Sequence, residues 1–427
     1  MNIFYLNKRS KNSCYGAQDK HCVNDFRVRT NVEYSSQRAR WRRKMTKITT
    51  DNWLSSANNG WSFQNIQSLF PTTRIKRGSK APSILPADLQ SIGSIQIDDV
   101  EGNKQSLDEM LSSTQTDAFL VLKDGKILFE EYFHGMGPDS LHLMNSITKS
   151  FVGVLTGILS EKGIIDINDK LTQYLPKFAD TGFSDTTFQT ALDMASSVKF
   201  EEDYAEPLCD FWNEAAVVGW RPDLSEGSSH GSLHDFALSL KEKEQEENEG
   251  YHYRTVLTNV IALAIQEATN LRFQDLLEEH IWQKLSPEQD AVIVVDKEGF
   301  PYVGAGMNAC ARDLARFGQM ILDGGVFQGQ RIISESWIES TWKGDDGYRE
   351  RFAKTDHGLM MPGGHYKNQM WIPSSEIMMC IGIFGQTILV NKSTDVVVVK
   401  FSSFPEPANE LMFANTFLLT EAISNLV

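Results

Sequence analysis

Patterns that bind metals or form disulfide frameworks are missing from this sequence of 427 residues. Its nine histidines show no H-E-x-x-H spacing, and its cysteines contain no C-x-x-C pair. This cysteine usage favours reduced thiols in a cytoplasmic protein, and we expect neither a metal nor another cofactor. The scattered cysteines are Cys14, Cys22, Cys209, Cys310 and Cys380.

Long apolar segments are missing as well. No apolar run reaches the length of a membrane span, so we expect no contact with a membrane. The first residues, Met1 to Arg9, include basic side chains, but no apolar segment follows them, which argues against a secretory signal.

Positive charge is scarce except at the start of the chain. The net charge is −15, yet residues 1–47 carry twelve Lys and Arg against three acids, a local charge of +9. The remaining residues therefore carry −24, which argues against nucleic acid as a partner. We interpret residues 1–45 as a basic extension that is disordered or not translated, and we leave it out of the predicted fold.

Apolar periodicity predicts both strands and helices. Two strand-like runs, 118–123 and 126–133, are joined by Asp124-Gly125, which is a hairpin signal. Residues 147–162 carry apolar side chains at helical spacing, and Gly163 marks the end of this helix. The other helical predictions are 169–175, 256–269, 310–322 and 408–426, together with the charged run 241–249 as a solvated helix face.

Strands at both ends of the chain enclose these helices. Residues 377–390 and 395–401 add strand-like runs near the end of the sequence. We therefore predict an α/β (α+β) fold, in which one antiparallel sheet is built from both ends of the chain and flanked by helices. The sheet region comprises residues 46–140 and 300–427, the inserted and mainly helical region comprises 141–299, and the active site lies between them.

A serine and a lysine stand three residues apart at the start of the predicted helix 147–162. In Ser146-Ile147-Thr148-Lys149 this spacing places the hydroxyl and the ammonium on one helix face. A buried, neutral lysine can accept the proton of a serine, which is otherwise a weak nucleophile. The helix start also favours developing negative charge, because its backbone N–H groups are free.

Two other motifs imitate known sites without their context. Gly227-Ser228-Ser229-His230-Gly231 fits G-x-S-x-G, but the buried strand that a nucleophile elbow requires does not precede it. Gly304-Ala305-Gly306 imitates a dinucleotide fingerprint without the βαβ unit and the acidic partner that the fingerprint requires. We interpret the first as a loop and the glycines of the second as close packing at a strand-to-helix turn.

The sequence from about Asn52 onwards resembles the serine β-lactamase-like hydrolases, the superfamily of class C β-lactamases, DD-peptidases, related esterases and 6-aminohexanoate-dimer hydrolases. Residues 144–153, around Ser146 and Lys149, match its first motif. Tyr251-His252-Tyr253-Arg254-Thr255 resembles the second motif, which implies that Tyr253 is the catalytic tyrosine. The usual asparagine of that motif is Thr255 in this chain.

The third motif departs from the β-lactamase pattern. Where β-lactamases carry Lys-Thr-Gly, this chain carries Cys380-Ile381-Gly382, followed by Ile383-Phe384-Gly385-Gln386. This form resembles the 6-aminohexanoate-dimer hydrolases and their esterase relatives more closely. The resemblance implies an oxyanion hole made by the backbone N–H groups of Ser146 and Ile383, and a strand at Gly382 that contacts the substrate.

The resemblance also implies a substrate pocket. Tyr204, in the loop Phe200-Glu201-Glu202-Asp203-Tyr204, is our candidate for a tyrosine that closes over the substrate amide, although an ordinary half-buried aromatic is an equal alternative. Trp371 is expected to form a wall of the pocket. Asp210 and Glu214 follow the loop, but nothing in the sequence identifies either as the acid that binds a substrate ammonium.

These observations predict a serine hydrolase that cleaves small linear amides or esters. Ser146 attacks the carbonyl, a hydrogen-bonded pair of Lys149 and Tyr253 accepts its proton, and a tyrosinate is favoured by the nearby cation. Tyr253 then protonates the leaving group, and water releases the acyl-enzyme. Two alternatives stay open: a β-lactamase or DD-peptidase of the same fold, and a catalytically silent binding protein.

Overall fold

A computed structural model describes residues 47–222, 224 and 230–427. Residues 1–45, and Gly227, Ser228 and Ser229 of the G-x-S-x-G motif, lie outside these ranges. The strands are β1 Thr72–Ile75, β2 Gln96–Asp98, β3 Lys104–Ser106, β4 Thr116–Lys123, β5 Lys126–Tyr132, β6 His142–Leu143, β7 Ala291–Val294, β8 Met307–Ala309, β9 Val326–Phe327, β10 Gln330–Arg331, β11 His365–Lys367, β12 Met370–Ile372, β13 Ile377–Gly382, β14 Gln386–Asn391 and β15 Val396–Ser402.

Six of the α-helices in the described ranges follow one another between β6 and β7. In chain order, the α-helices are α1 Asn59–Ser62, α2 Leu107–Ser113, α3 Ile147–Glu161, α4 Phe188–Leu192, α5 Asp210–Val217, α6 Leu233–Ser239, α7 Thr255–Thr269, α8 Phe273–His280, α9 Ala311–Leu322, α10 Glu335–Lys343, α11 Asp346–Phe352, α12 Asp356–Met360 and α13 Glu410–Leu426. Short 3-10 turns cover Ile66–Ser68, Leu171–Gln173, Pro176–Asp180, Trp282–Leu285 and Ile383–Gly385.

The central sheet has seven strands in the order β11-β12-β13-β14-β15-β4-β5, and all neighbours are antiparallel. Two of its strands come from residues 116–132 and the other five from residues 365–402. The joining pair is β15 and β4, where Val398 lies opposite Val121. Because β-branched side chains pack well on a pleated surface, this buried pair is a strong link. The prediction of an antiparallel sheet built from both ends of the chain is confirmed.

The hairpin between β4 and β5 turns where the sequence predicted it. Asp124 and Gly125 have φ values of 50° and 71°. Two consecutive left-handed residues form a turn whose twist matches that of the flanking strands.

A smaller sheet positions the start of α3. Its four antiparallel strands run in the order β1-β7-β8-β6. Just after β6, the Met144 N–H donates to the Met307 carbonyl at 3.0 Å, and the Met307 N–H donates to Thr148 Oγ1 at 3.2 Å. These bonds fix Ser146, which lies between Met144 and Thr148, against the chain that leads into β8.

Helix α3 lies inside the protein, as its apolar spacing predicted. Residues 147–159 are all buried. Gly153 lets the turn between β11 and β12 approach closely, because a Cβ at this position would collide with the Asn368 carbonyl. The central sheet therefore packs directly against the helix that carries Ser146 and Lys149.

Two of the predicted helices are wrong. Within 169–175 there is only a 3-10 turn, Leu171–Gln173, and a second such turn begins at Pro176. Local side-chain bonds compete with the helix here, since Asp166 accepts from the Asn168 N–H at 2.9 Å and Asp169 accepts from Tyr174 at 2.7 Å.

The charged run 241–249 is not a helix either. Its chain pairs with residues 195–199 instead, through bonds such as that from the Glu244 N–H to the Ser197 carbonyl at 2.9 Å. The Glu247 carboxylate accepts from the Ser197 N–H at 2.8 Å, and Glu244 forms an ion pair with the buried Arg254. Its acidic side chains therefore have structural partners that periodicity does not reveal.

Residues Ile48–Val427 form one compact unit. The division into a sheet region and an inserted helical region stays a prediction. In the part of the chain that the structure describes, no helix combines the length and apolarity needed to cross a membrane.

Phe151 offers a test of how α3 is held in the core. Its ring stacks on Phe317 of α9 with centroids 3.9 Å apart, and only 1% of the residue is exposed. We expect Phe151→Ala to lower the free energy of unfolding by about 3–5 kcal/mol, because it leaves a cavity. Denaturant unfolding measures this change. Leu271→Ala is the control, since Leu271 is 51% exposed and its loss should cost less than about 0.5 kcal/mol. Equal losses for the two variants would contradict this packing.

Candidate active site

Ser146 is the residue that precedes α3, and its side chain does not cap the helix. Serine at this position commonly accepts a hydrogen bond from the first turn. Here the Ser146 hydroxyl instead accepts from the Lys149 Nζ at 2.9 Å. The predicted approach of the two side chains on one helix face is therefore present in the structure.

Lys149 is held by three acceptors in the interior. Its Nζ donates to Ser146 Oγ at 2.9 Å, to Thr255 Oγ1 at 2.9 Å and to the Gly304 carbonyl at 2.6 Å. Only 1% of the residue is exposed. Burial lowers the pKa of Lys149 to about 8, although the charges of Glu202 and Glu214 act in the opposite direction. Lys149 is therefore partly neutral at slightly alkaline pH and can accept a proton there.

Tyr253 joins the site through Ser146. The Ser146 side chain lies close enough to the Tyr253 hydroxyl to act on its pKa, and the Tyr253 ring centroid lies 5.0 Å from the Lys149 Nζ. The expected direct hydrogen bond between Lys149 and Tyr253 is absent among the described contacts, because the three lysine hydrogens are bound elsewhere.

The expectation of a tyrosinate is also wrong. Burial raises the pKa of Tyr253 well above its ordinary value, and the charge of Glu202 raises it further, whereas the Ser146 side chain lowers it. Tyr253 is therefore a neutral phenol that can donate a proton, and the basic group of the site is Lys149.

Glu202 is a site residue that the sequence did not reveal. Its carboxylate accepts from the Thr255 N–H at 2.6 Å, from Thr255 Oγ1 at 2.7 Å and from the Tyr204 hydroxyl at 2.6 Å. It thus occupies the N-terminus of α7, where negative charge is favourable. The only signal was the acidic run Glu201-Glu202-Asp203 beside Tyr204, and nothing in that run shows which acid turns inward.

Thr255, at the position where the second motif usually has an asparagine, connects Lys149 to Glu202. It accepts from Lys149 and donates to Glu202, so its hydroxyl links the amine to the carboxylate. A hydroxyl can donate and accept at once, which explains why threonine serves here.

Gly382 brings the end of β13 against the start of α3. A Cβ on Gly382 would lie 2.6 Å from the Met144 carbonyl and 3.1 Å from the Ser146 backbone nitrogen. Among the hydrogen bonds of the described residues, none engages the Ser146 N–H. Ile383, the next residue, begins a 3-10 turn at this edge of the site. The geometry is consistent with an oxyanion hole formed by the Ser146 and Ile383 N–H groups, which stays a prediction.

Two amide side chains fix the turn at Ile383. Asn145, in the left-handed region with φ 46°, donates from Nδ2 to the Ile383 carbonyl at 2.9 Å. Gln386 donates from Nε2 to the Phe384 carbonyl at 3.1 Å and to the Ser402 carbonyl at 2.7 Å. A non-glycine residue in this backbone region stores strain, and such strain clusters at functional sites.

Aromatic side chains line the side of the site next to Tyr253. The Trp371 ring stacks on Tyr253 with centroids 5.4 Å apart, and Tyr366 and His357 also contact Trp371. Trp371 therefore lies next to Tyr253, and its role as a wall of the pocket stays a prediction. Tyr204 packs edge-on against Phe211 and holds Glu202, and its predicted closure over a substrate stays a prediction.

The glycines at 304 and 306 are closely packed, as predicted, but they lie between the strands β7 and β8 and not at a strand-to-helix turn. The Gly304 carbonyl also binds the Lys149 amine. A side chain at Gly304 would collide with the Thr255 methyl group.

The sequence left open which of two acids, Asp210 or Glu214, belongs to the site. Asp210 accepts from the Glu201 N–H at 2.9 Å, whereas Glu214 is buried and accepts from Asn259 at 2.9 Å.

Comparisons with known proteins agree with this arrangement. The family model described as Beta-lactamase matches residues 105–421. The chain is 34% identical over 367 residues to a 6-aminohexanoate-dimer hydrolase of Paenarthrobacter ureafaciens, a match that covers 84% of this chain and 89% of the relative.

Solved structures show the same similarity. A candidate 6-aminohexanoate-dimer hydrolase from Bacillus anthracis superposes with a TM-score of 0.81 at 26% identity, over 89% of this chain and 97% of the other. A family VIII carboxylesterase shares the fold, with a TM-score of 0.52 at 14% identity over 73% of this chain and 96% of the other. With the family model and the curated relative each matching most of the chain, this protein belongs to the β-lactamase family of serine hydrolases.

Proposed function

We propose that this protein hydrolyses small linear amides or esters through an acyl-enzyme on Ser146. The observation that carries this proposal is the 2.9 Å hydrogen bond between Ser146 Oγ and the buried amine of Lys149. The pKa of that amine, lowered by burial to about 8, makes it a base suited to neutral or slightly alkaline pH.

Acylation begins with proton transfer from Ser146 to neutral Lys149. The freed oxygen attacks the substrate carbonyl, and the charge that develops on the carbonyl oxygen is stabilised by the N–H groups of Ser146 and Ile383. Tyr253 then donates its phenolic proton to the leaving amine or alcohol and recovers a proton from Lys149, so the base is neutral again. Water repeats the sequence on the acyl-enzyme and releases the acid.

The third motif supports amides and esters over β-lactams. Cys380 stands where β-lactamases carry the lysine that binds the antibiotic carboxylate. The thiol is buried, and burial raises its pKa to about 12. It therefore adds no positive charge, and this position offers no cation to an anionic substrate.

The aromatic wall supports a substrate with an apolar chain. Tyr366 and Trp371 are buried beside Tyr253, and burial lowers the pKa of neighbouring His357 to about 4, so that its ring is neutral. An uncharged wall of this kind suits the apolar chain of a linear amide or ester. The 34% identical relative is named as a hydrolase of the 6-aminohexanoate dimer, which is a linear amide.

We also propose that the protein acts in the cytoplasm on small molecules and does not bind nucleic acid. Cys209, Cys310 and Cys380 are unpaired and buried, as expected of proteins in a reducing compartment. The charge of −24 beyond residue 47 disfavours binding to nucleic acid.

The first test of this function is a substrate panel. The wild-type protein should hydrolyse p-nitrophenyl acetate and butyrate, and Ser146→Ala should lose at least about a thousandfold in kcat because the nucleophile is removed. Aminohexanoate dimer and nitrocefin, run alongside, separate the alternatives. Nitrocefin should not be hydrolysed. Failure of every substrate to acylate Ser146 would refute the proposal, and rapid nitrocefin turnover would favour a β-lactamase.

Tyr253→Phe tests the proposed proton donor. We expect kcat to fall by about 10²–10⁴-fold with the fold intact, because only the hydroxyl that contacts Ser146 is lost. Steady-state kinetics and circular dichroism measure the two effects. Tyr174→Phe is the matched control, since its hydroxyl bonds Asp169 and makes no contact with the site. Unchanged kinetics in Tyr253→Phe would assign the proton transfer to another group.

Gly382→Ala tests the approach of β13 to the nucleophile. The added methyl group would meet backbone atoms of Met144 and Ser146, so the strand must shift and carry the Ile383 N–H with it. We expect kcat to fall about a hundredfold in ester hydrolysis. Gly137→Ala is the control, because its Cβ would meet only Asp139 at an ordinary 3.5 Å. Equal activity of both variants would contradict the placement of the oxyanion hole.

A further inference from the structure

A second buried carboxyl reaches the Lys149 amine through a chain of three hydrogen bonds. Glu214 Oε1 accepts from Asn259 Nδ2 at 2.9 Å, and Asn259 Oδ1 accepts from the Gly304 N–H at 3.0 Å. The Gly304 carbonyl in turn accepts from Lys149 Nζ at 2.6 Å. The mechanism above uses Lys149 and Gly304 but assigns no role to Glu214 or Asn259.

Helix α7 organises this chain of bonds. Thr255 and Asn259 are four residues apart, so they lie on the same helix face. Thr255 contacts Lys149 directly, and Asn259 holds Gly304, which contacts Lys149 from another side. One helix face thus connects the amine to two carboxyl groups, Glu202 through Thr255 and Glu214 through Asn259 and Gly304.

Glu214 lies in the interior and is not an acid exposed to solvent. Glu214 is 1% exposed and Asn259 is fully buried. The other polar partner of Glu214 is the Tyr302 hydroxyl at 3.3 Å, and the charged groups that act on it are Glu202 and Lys149. A buried acid without an adjacent cation is costly unless it is neutral or well hydrogen-bonded. Burial of such a group adds little to stability, which points to a role in the site.

Resting on the function proposed above, we propose that Glu214 is a positioning residue that holds the Gly304 carbonyl on Lys149 through Asn259 and whose ionisation governs when Lys149 becomes a base. A negative charge on Glu214 favours the protonated lysine, which cannot accept the Ser146 proton. When Glu214 is neutral, it no longer favours the protonated lysine, and its side chain still accepts the hydrogen bond from Asn259. Glu214 itself never touches the reacting atoms.

Glu214 ionises at a pH close to the pH at which Lys149 loses its proton. Burial raises the pKa of Glu214 to about 8, whereas its bond to Asn259 lowers it. Lys149 has a pKa of about 8, so the two groups titrate together as a coupled pair. As the pH rises, ionisation of Glu214 delays the loss of the lysine proton and moves the rise in activity to higher pH.

Glu214→Gln is the decisive variant, because glutamine keeps an oxygen for Asn259 and cannot ionise. We expect the ascending limb of kcat/KM for p-nitrophenyl butyrate, followed between about pH 6 and pH 10, to move down by about one pH unit. Asp210→Asn is the control, since Asp210 lies on the same helix, α5, and bonds only the Glu201 N–H among the described groups. Its profile should superimpose on that of the wild type.

Asn259→Leu tests the positioning half of the proposal. Loss of the amide frees Gly304, so we expect kcat to fall between about tenfold and a hundredfold with little change in KM. Thermal unfolding shows whether the variant is folded. If it is not, the decision rests on Glu214→Gln, whose shape matches the native residue.

A second readout separates failure of this inference from failure of the proposed function. In protein labelled with ¹³C at the lysine Cε, the Lys149 resonance is the one missing from Lys149→Met, and its titration gives the lysine pKa without any turnover. We expect Glu214→Gln to lower that pKa by about one unit. A folded variant whose Lys149 titration is unchanged would overturn the inference. Failure of the wild type to hydrolyse any ester or amide of the panel would refute the proposed function but leave this titration decisive for Glu214.

Discussion

The ammonium of Lys149 has to be satisfied in a place that water does not reach. Desolvation of an amine costs several kcal/mol, so it must find acceptors or lose its proton. In this fold it finds three, from the start of α3, the start of α7 and the segment before β8. The positions of these three segments are therefore coupled, and each constrains which residues the others can carry. Gly304 has no side chain because Thr255 lies against it, and Thr255 has a hydroxyl because Lys149 and Glu202 both need one.

Several features of the site lower the stability of these segments. Ser146 stands at the N-cap of α3 and leaves the first turn uncapped, which forgoes about 1 kcal/mol. Asn145 adopts a left-handed backbone, and Glu214 is a buried acid. Each of these features is unfavourable alone. Together they place a nucleophile, a depressed lysine pKa and free N–H groups at one point.

Local pattern was sufficient for the sheet and for the first pair of site residues. The β4–β5 hairpin and α3 follow from turn chemistry and apolar spacing, and Ser146 meets Lys149 because three residues of helix separate them. Tyr253 could be recognised only from a resemblance, since nothing local connects it to Ser146. Glu202, Gly304 and Asn259 could not be found, because their roles depend on contacts between distant segments. The helix predicted at 169–175 failed for the opposite reason: local side-chain bonds and Pro176 overrode a weak periodicity.

The site residues lie far apart in the sequence, and this separation determines when the site can form during synthesis and folding. Lys149 meets Thr255 across 106 residues and Gly304 across 155, and Asn145 reaches Ile383 across 238. Contacts of such long range form late, after the loops between them have closed. A chain still emerging from the ribosome lacks β13 and the Ile383 turn until residues 377–385 have been made. The site can therefore form only when all the segments from Asn145 to Ile383 have been made and have folded together, so that activity reports their complete assembly.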